Sequence, residues 1–273
     1  MNNFEKIFKT IKKMETRKEE CKEHGTFEAK NYLGKFWSKC QKCSKEEEKK
    51  QEDEDIAQAQ RNRLANWVKK VGCSGIPERF HKKTFDNFYA ETNGQKAALD
   101  FAIDYAKNFS QNLKLGRCAL FVGSPGTGKT HLAAAIGLRA MGAENRIVLF
   151  VTVMRAIRRV KDTWRKAGGE TESEAIESLA APDLLIIDEI GEQYGSETEK
   201  LILFDIINER YEKMKPTIFT SNLPMEDFFK KNGDTQKHPG VKSFLGERII
   251  DRIRENDGKI VFFDGESHRG KKN

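Results

Sequence analysis

The residues that promise chemistry are concentrated in one octet, Gly123-Ser124-Pro125-Gly126-Thr127-Gly128-Lys129-Thr130. A glycine, four residues, then Gly-Lys-Thr is the spacing of a phosphate-binding loop. Its glycines let successive backbone N–H groups converge on phosphate oxygens with no Cβ in the way. The N-terminus of a following helix adds partial positive charge. Lys129 is placed to reach the β- and γ-phosphates, and Thr130 to ligate Mg²⁺. The rival, a glycine-rich turn before a core helix, explains neither the eight matching positions nor both flanks. Further on, Leu184-Leu185-Ile186-Ile187 ends in Asp188-Glu189. An apolar strand that delivers two acids at its C-terminal end suits a magnesium-bound polyphosphate attacked by water. Asp188 would hold the Mg²⁺ shell through water, and Glu189 would polarise the attacking water.

A second constellation lies near the start of the chain. Cys21 and His24 are followed, fifteen residues on, by Cys40 and Cys43. Two ligand pairs, each bridging a tight turn, can close a tetrahedral Cys₃His zinc site. With four protein ligands the site is structural, not catalytic. The intervening residues read as a loop whose Phe27, Tyr32, Phe36 and Trp37 pack over the metal. The alternative, three exposed thiols and a surface histidine, is a poor one, because exposed free cysteine is a liability.

These residues need elements to position them. Cys118–Val122 reads as a buried strand into the phosphate loop, and His131–Leu138 as the helix after it. Arg146–Val151 and Thr217–Asn222 read as further strands, and Lys259–Phe263 as the last one. Asn222 ends its strand where it could hydrogen-bond the γ-phosphate or the water; capping a helix that starts near Pro224 is its other reading. Helices are expected over 95–109, 173–180, 197–213 and 241–254, the last carrying Arg248, Arg252 and Arg254. Thr152 caps a helix with Arg155, Arg158, Arg159, Lys161 and Arg165. That run is either a solvated face or a track for a phosphate backbone. Phe80, Phe85 and Phe88 either line an adenine pocket or simply pack on the body.

The N-terminal part is organised differently. Phe4, Ile7, Phe8, Ile11 and Met14 make an apolar stripe at helical spacing, for packing or for docking another protein. From Ser44 the chain is almost wholly Lys, Glu, Asp and Gln, then gains apolar residues up to Val68. It reads as a long solvated helix, with a flexible linker as rival. Gly72–Pro77 stops it. The expected organisation is an N-terminal helix and zinc module over 1–45, a charged helical linker over 46–75 and a nucleotide-binding domain over 76–273.

The chain of 273 residues is 33% charged and only 37% hydrophobic, and the excess polarity sits at this N-terminal end. A net charge of +7 suits a nucleic-acid partner without requiring one. No apolar stretch has membrane-spanning length and no signal peptide is evident, so a soluble cytoplasmic protein is expected. The five cysteines, an odd number, favour metal ligands or free thiols over a disulfide framework.

Four segments together carry a resemblance: Gly-Ser-Pro-Gly-Thr-Gly-Lys-Thr-His-Leu-Ala, Leu-Leu-Ile-Ile-Asp-Glu-Ile-Gly, Thr-Ile-Phe-Thr-Ser-Asn-Leu and Gly-Glu-Arg-Ile-Ile-Asp-Arg-Ile-Arg. Over about residues 76–269 the chain resembles the DnaC-type replicative helicase loaders. These are AAA+ ATPases close to the transposon-associated IstB ATPases. The Cys/His module resembles the N-terminal zinc element of phage and prophage members. The resemblance implies an α/β P-loop NTPase fold, with a five-stranded parallel sheet between helices and a reduced C-terminal lid. It implies ATP, Mg²⁺ and Zn²⁺ as cofactors. The function it implies is ATP-dependent loading of a hexameric replicative helicase onto single-stranded DNA, with self-association through the ATP site. An IstB-like helper of a DNA transposase is the alternative. By resemblance Gly123 to Thr130 are Walker A, Asp188 and Glu189 are Walker B, and Asn222 is sensor 1. Arg252 is the arginine finger acting on a neighbour, and Arg269 is sensor 2. Where the family usually has Trp-Asp-Ser-Tyr-Arg, this chain reads Gly265-Glu266-Ser267-His268-Arg269.

Overall fold

The computed structural model describes residues 15–32, 34–165, 169–192, 195–229 and 237–268. The stripe of Phe4, Ile7, Phe8, Ile11 and Met14 lies outside them, and so does Arg269. The chain divides into two compact units, residues 1–66 and 67–273.

In the first unit, the residues between the two ligand pairs are a small sheet rather than a loop. β1 (Thr16–Cys21) and β2 (Gly25–Tyr32) form an antiparallel hairpin, and β3 (Phe36–Trp37) pairs with the end of β2. Gly25 closes the hairpin opposite Cys21 at φ +73°, a conformation that favours glycine. The alternation is there in the sequence: Phe27 and Ala29 face inward, with Ala29 fully buried, while Thr26, Glu28 and Tyr32 face out. Arg17 lies 4.0 Å over the Trp37 ring, fixing the sheet's short third strand. α1 (Gln41–Cys73) then runs unbroken. Up to Asn66 it buries no side chain, so its support is local, from pairs such as Gln51–Asp55 at 2.9 Å and Gln58–Asn62 at 3.0 Å.

The second unit is built on a five-stranded parallel sheet: β4 (Ala119–Gly123), β5 (Val148–Thr152), β6 (Leu184–Ile190), β7 (Thr217–Ser221) and β10 (Lys259–Phe263). Their spatial order is β10-β4-β7-β6-β5. Each crossover carries helix: α2 (Asn93–Lys107) and α3 (Phe109–Leu115) precede β4, and α4 (Lys129–Glu144) follows it. α5 (Val153–Thr163) and α6 (Glu172–Ala180) join β5 to β6, and α7 (Glu197–Glu212) joins β6 to β7. A two-stranded ribbon of β8 (Phe228–Phe229) and β9 (Lys237–His238) precedes α8 (Val241–Leu245) and α9 (Glu247–Arg254).

Helices cover both faces, so the central strands are apolar throughout. Leu184, Leu185, Ile186 and Ile187 are fully buried and alternate between the two cores. Each contributes about 1.5–3 kcal/mol by burial. One core holds Phe109, Phe121, Leu132 and Ile136 under α2 and α4; the other holds Ile157, Leu203, Phe219 and Ile250 under α5, α7 and α9. Arg210, fully buried on α7, donates to the carbonyls of Ala180 and Pro182 at 2.8 Å and to Thr217 Oγ1 at 2.9 Å. It thereby fixes the starts of β6 and β7, and so the height at which their far ends deliver polar residues.

Two expectations change. The helix expected over 241–254 breaks at Gly246, whose φ of +79° and ψ of 155° no helix accommodates. No helix starts near Pro224; bends lead into β8 instead, so Asn222 caps nothing. No described helix is long and apolar enough to cross a membrane.

Candidate functional site

The phosphate loop leaves the buried strand β4 and enters α4 with Gly126 at φ +84° and Gly128 at φ +99°. Gly128 is the N-cap of α4 and offers no side chain to the first helical N–H groups. Those donors point into the loop's concavity, an anion site in need of an anion. Thr127 Oγ1 donates to Ser124 O at 2.8 Å and braces the turn. Lys129, only 5% exposed, donates from Nζ to Gly123 O at 2.8 Å and to Ser124 O at 2.7 Å. The lysine's charge is therefore held inside the cradle. A Cβ on Gly126 would run into Ser267, and one on Gly128 into the Phe88 ring, so neither position tolerates a side chain.

The acids meet the loop at the C-terminal end of β6. Asp188 Oδ1 accepts from Thr130 Oγ1 at 3.0 Å and from Thr220 Oγ1. Burial pushes its carboxyl up; the hydrogen bonds from Thr220 and Thr130 and the charges of Lys129 and Arg79 oppose this. Thr130 and Asp188 thus share the point where a Mg²⁺ ion would take oxygen ligands. Glu189 is exposed and has φ +64°, rare for a residue with a Cβ, at a register irregularity between Ile187 and Ile190. Its N–H donates to Thr220 Oγ1 at 3.2 Å. The kink turns the second acid off the sheet plane while the first stays buried.

A cavity of about 760 Å³ brings these groups together. It is bordered by Gly126, Gly128, Lys129 and Thr130, by Asp188 and Glu189, and by Asn222 just beyond β7. Phe80 and Phe88 line it as expected of an adenine pocket, whereas Phe85 faces a separate groove with Trp67 and Leu138. Phe88 sits edge-on to His131, centroids 5.2 Å apart, and burial lowers the His131 pKa.

Two lining residues were not anticipated. His268 follows the last strand back across the loop, its N–H donating to Gly126 O at 3.1 Å, and Gln95 Nε2 lies 3.0 Å from its Nε2. Gln95 is fully buried and forms the capping box of α2 with Thr92, so the terminal segment is tied to a helix start. Its departure from the usual aromatic pattern hid this in the sequence. Arg79, in a single helical turn over Glu78–Phe80, also borders the cavity. No motif marks it.

Arg252 does not border this cavity. Its guanidinium lies 4.9 Å over Phe204 and 4.6 Å over Tyr211, both on α7, with Nη1 buried and without a hydrogen bond. Arg248 and Arg254 are exposed. On α5, Arg159 pairs with Glu170 at 2.8 Å and Lys161 with the buried Glu199 at 3.0 Å. Arg155, Arg158 and Arg165 are exposed.

In the first unit, one ligand atom from each of Cys21, His24, Cys40 and Cys43 lies within 4.8 Å of the others. The sulfurs of Cys21 and Cys43 are 3.4 Å apart, and His24 Nδ1 is 3.2 Å from Cys43 Sγ. Zn–S bonds of about 2.3 Å in a tetrahedron would set edges of about 3.7 Å, so the donor set fits zinc with small adjustment. The Glu23 backbone N–H lowers the Cys21 thiol to about 6, and the hydrogen bond to Cys21 raises Cys43 to about 12. The cluster therefore already favours one thiolate. His24 Nε2 faces Glu46 Oε1 at 3.1 Å, which leaves Nδ1 turned to the sulfurs. Cys43 and Glu46 both lie in the first turns of α1, so a metal here joins hairpin to helix.

Comparison with known proteins gives a consistent result. The family model of the IstB-like ATP binding protein matches residues 52–273. The replicative helicase loader DnaC of Buchnera aphidicola subsp. Acyrthosiphon pisum (strain APS) is 35% identical over 208 residues, 76% of this chain and 78% of that protein. DnaC of Escherichia coli (strain K12) is 34% identical over 210 residues, 77% of this chain and 78% of that protein. The crystal structure of the DnaC helicase loader superposes with a TM-score of 0.57 at 24% identity, covering 69% of this chain and all of that one, a likeness of fold.

Proposed function

Because the chain belongs to the IstB-like, DnaC-type family of ATP-binding proteins, we propose that it is an ATPase that loads a replicative helicase onto single-stranded DNA. The observation that carries the reading is the convergence of Lys129, Thr130, Asp188 and Glu189 on one cavity, in a chain whose matched relatives are named helicase loaders.

The roles follow from placement. The loop N–H groups and Lys129 hold the β- and γ-phosphates. Thr130 and Asp188 hold Mg²⁺, which supplies charge neutralisation on the transferred phosphoryl group. Glu189, turned outward by its kink, orients and deprotonates the attacking water, and Asn222 hydrogen-bonds that water or the γ-phosphate. Phe80 and Phe88 flank the adenine. Arg252 lies outside its own chain's cavity, which suits action on the nucleotide of a neighbouring copy. The γ-phosphate charge is then neutralised only when two copies dock, and its loss on hydrolysis loosens them.

Zn²⁺ held by Cys21, His24, Cys40 and Cys43 would keep the hairpin on the start of α1. This N-terminal part, with the exposed arginines of α5, supplies surface for the helicase and for single-stranded DNA, in a soluble, cytoplasmic protein. The divisions proposed are a zinc module over 1–45, a helical linker over 46–75 and the ATPase domain over 76–273; Arg269 is proposed as sensor 2.

Affinity capture from the host with ATP present tests the reading. A hexameric replicative helicase should be recovered, and the purified pair should start unwinding on DNA coated with single-strand binding protein. Recovery of a transposase instead would establish the transposition helper and refute helicase loading.

A further inference from the structure

The entry segment before α2 brings a cation to the nucleotide cavity that no phosphate-loop motif describes. Arg79 sits in the turn Glu78–Phe80, its guanidinium 4.8 Å over the ring of its neighbour Phe80. Both residues border the cavity, with Lys129, Asp188, Glu189 and Asn222. Arg79 forms no ion pair or hydrogen bond among the described residues, although acids border the same cavity. Its charge is nevertheless close enough to draw the Asp188 carboxyl down against burial.

That arrangement has a chemical consequence. Stacking fixes one face of a guanidinium and leaves its N–H edges free. A planar fork with free edges matches phosphate oxygens in pairs. Asp188, Glu189 and Asn222 mark the end of the cavity where the terminal phosphate belongs, and Arg79 faces that end.

We propose that Arg79, held on Phe80, binds the γ-phosphate of the nucleotide within its own chain, as a second cation beside Lys129. The inference rests on the cavity being the ATP site. Arg79 would then distinguish triphosphate from diphosphate before any neighbour supplies Arg252. It would also tie the entry segment, and through it the end of α1, to the state of the nucleotide.

The test is calorimetric titration of the full chain with Mg-AMPPCP and with Mg-ADP, for wild type, Arg79→Ala, Arg79→Lys and Phe80→Leu. Losing a charge-assisted pair should weaken AMPPCP by about tenfold or more in Arg79→Ala, with ADP changed by less than about twofold. Arg79→Lys should recover only part, because an ammonium neither stacks nor forks, and Phe80→Leu should lose part with the arginine still present. Retained ADP binding serves as the check of folding. Unchanged AMPPCP affinity in Arg79→Ala, or equal weakening of both nucleotides, would overturn the assignment. If wild type bound neither nucleotide, the ATP reading itself would fall, and this inference with it.

Discussion

Gly128→Ala probes how tightly the phosphate loop is built. Gly128 has φ +99°, and an L-residue forced near that region loses roughly 1–2 kcal/mol. The added methyl also overlaps the edge of Phe88, with the ring's Cζ 3.0 Å away. Phe88 is 8% exposed and edge-packed on His131, so it moves only at the expense of other contacts. Overpacking of this kind costs roughly 1–3 kcal/mol. The total is roughly 2–5 kcal/mol, a large part of a typical domain's stability. Only the second part depends on the ring. A double-mutant cycle with Phe88→Leu separates the two: urea unfolding should show the double variant less destabilised than the sum of the singles by roughly 1–3 kcal/mol. The backbone part should remain. Strict additivity would mean that Phe88 does not press on the loop, and the description of the cavity wall would be wrong.

Other consequences follow from the same geometry. Arg252→Ala should fold and bind ATP but turn over roughly 10²-fold more slowly. Mixing it with Lys129→Ala should restore turnover, because each copy supplies what the other lacks; full activity of Arg252→Ala alone would exclude action across an interface. Burial raises the Asp188 pKa, so in the folded chain its charged form is disfavoured and costs stability at neutral pH. That cost fades as pH falls through the raised folded value towards the unfolded one. Asp188→Asn still accepts from Thr130 and Thr220, so it should unfold at higher urea than wild type at pH 7, by a margin that closes in acid, while hydrolysis is lost. A destabilised Asp188→Asn at pH 7 would contradict this sign. Glu46→Gln should weaken zinc about 10- to 100-fold in chelator competition by loosening the Nδ1-ligating orientation of His24. Unchanged affinity would remove Glu46 from the metal site.

What the sequence made legible is local. The phosphate loop, the paired acids and the Cys/His pairs are short patterns whose chemistry demands fixed spacing, and the central strands announce themselves as unbroken apolar runs. The zinc hairpin escaped because its alternation over Thr26–Tyr32 sits between ligand pairs that already suggested a loop. The helix break at Gly246 escaped because the apolar period continues across it through Leu245 and Ile249. The rest depends on partners far along the chain. Phe85 and Phe88 look alike in sequence, but only Phe88 turns to the cavity. Nothing local marks Arg210 as buried among carbonyls, or Arg252 as lying on Phe204 and Tyr211. His268 reaches the loop only because β10 pairs with β4 and ends beside it.

The central claim is that a magnesium-bound adenine nucleotide occupies the cradle between Gly123 and Thr130. Calorimetric titration of Mg-ATP into the full chain and into Lys129→Ala tests it most directly. Saturable binding at one site per chain, lost in Lys129→Ala with the fold retained, is the predicted result. No heat of binding in wild type, or undiminished affinity in Lys129→Ala, would contradict it.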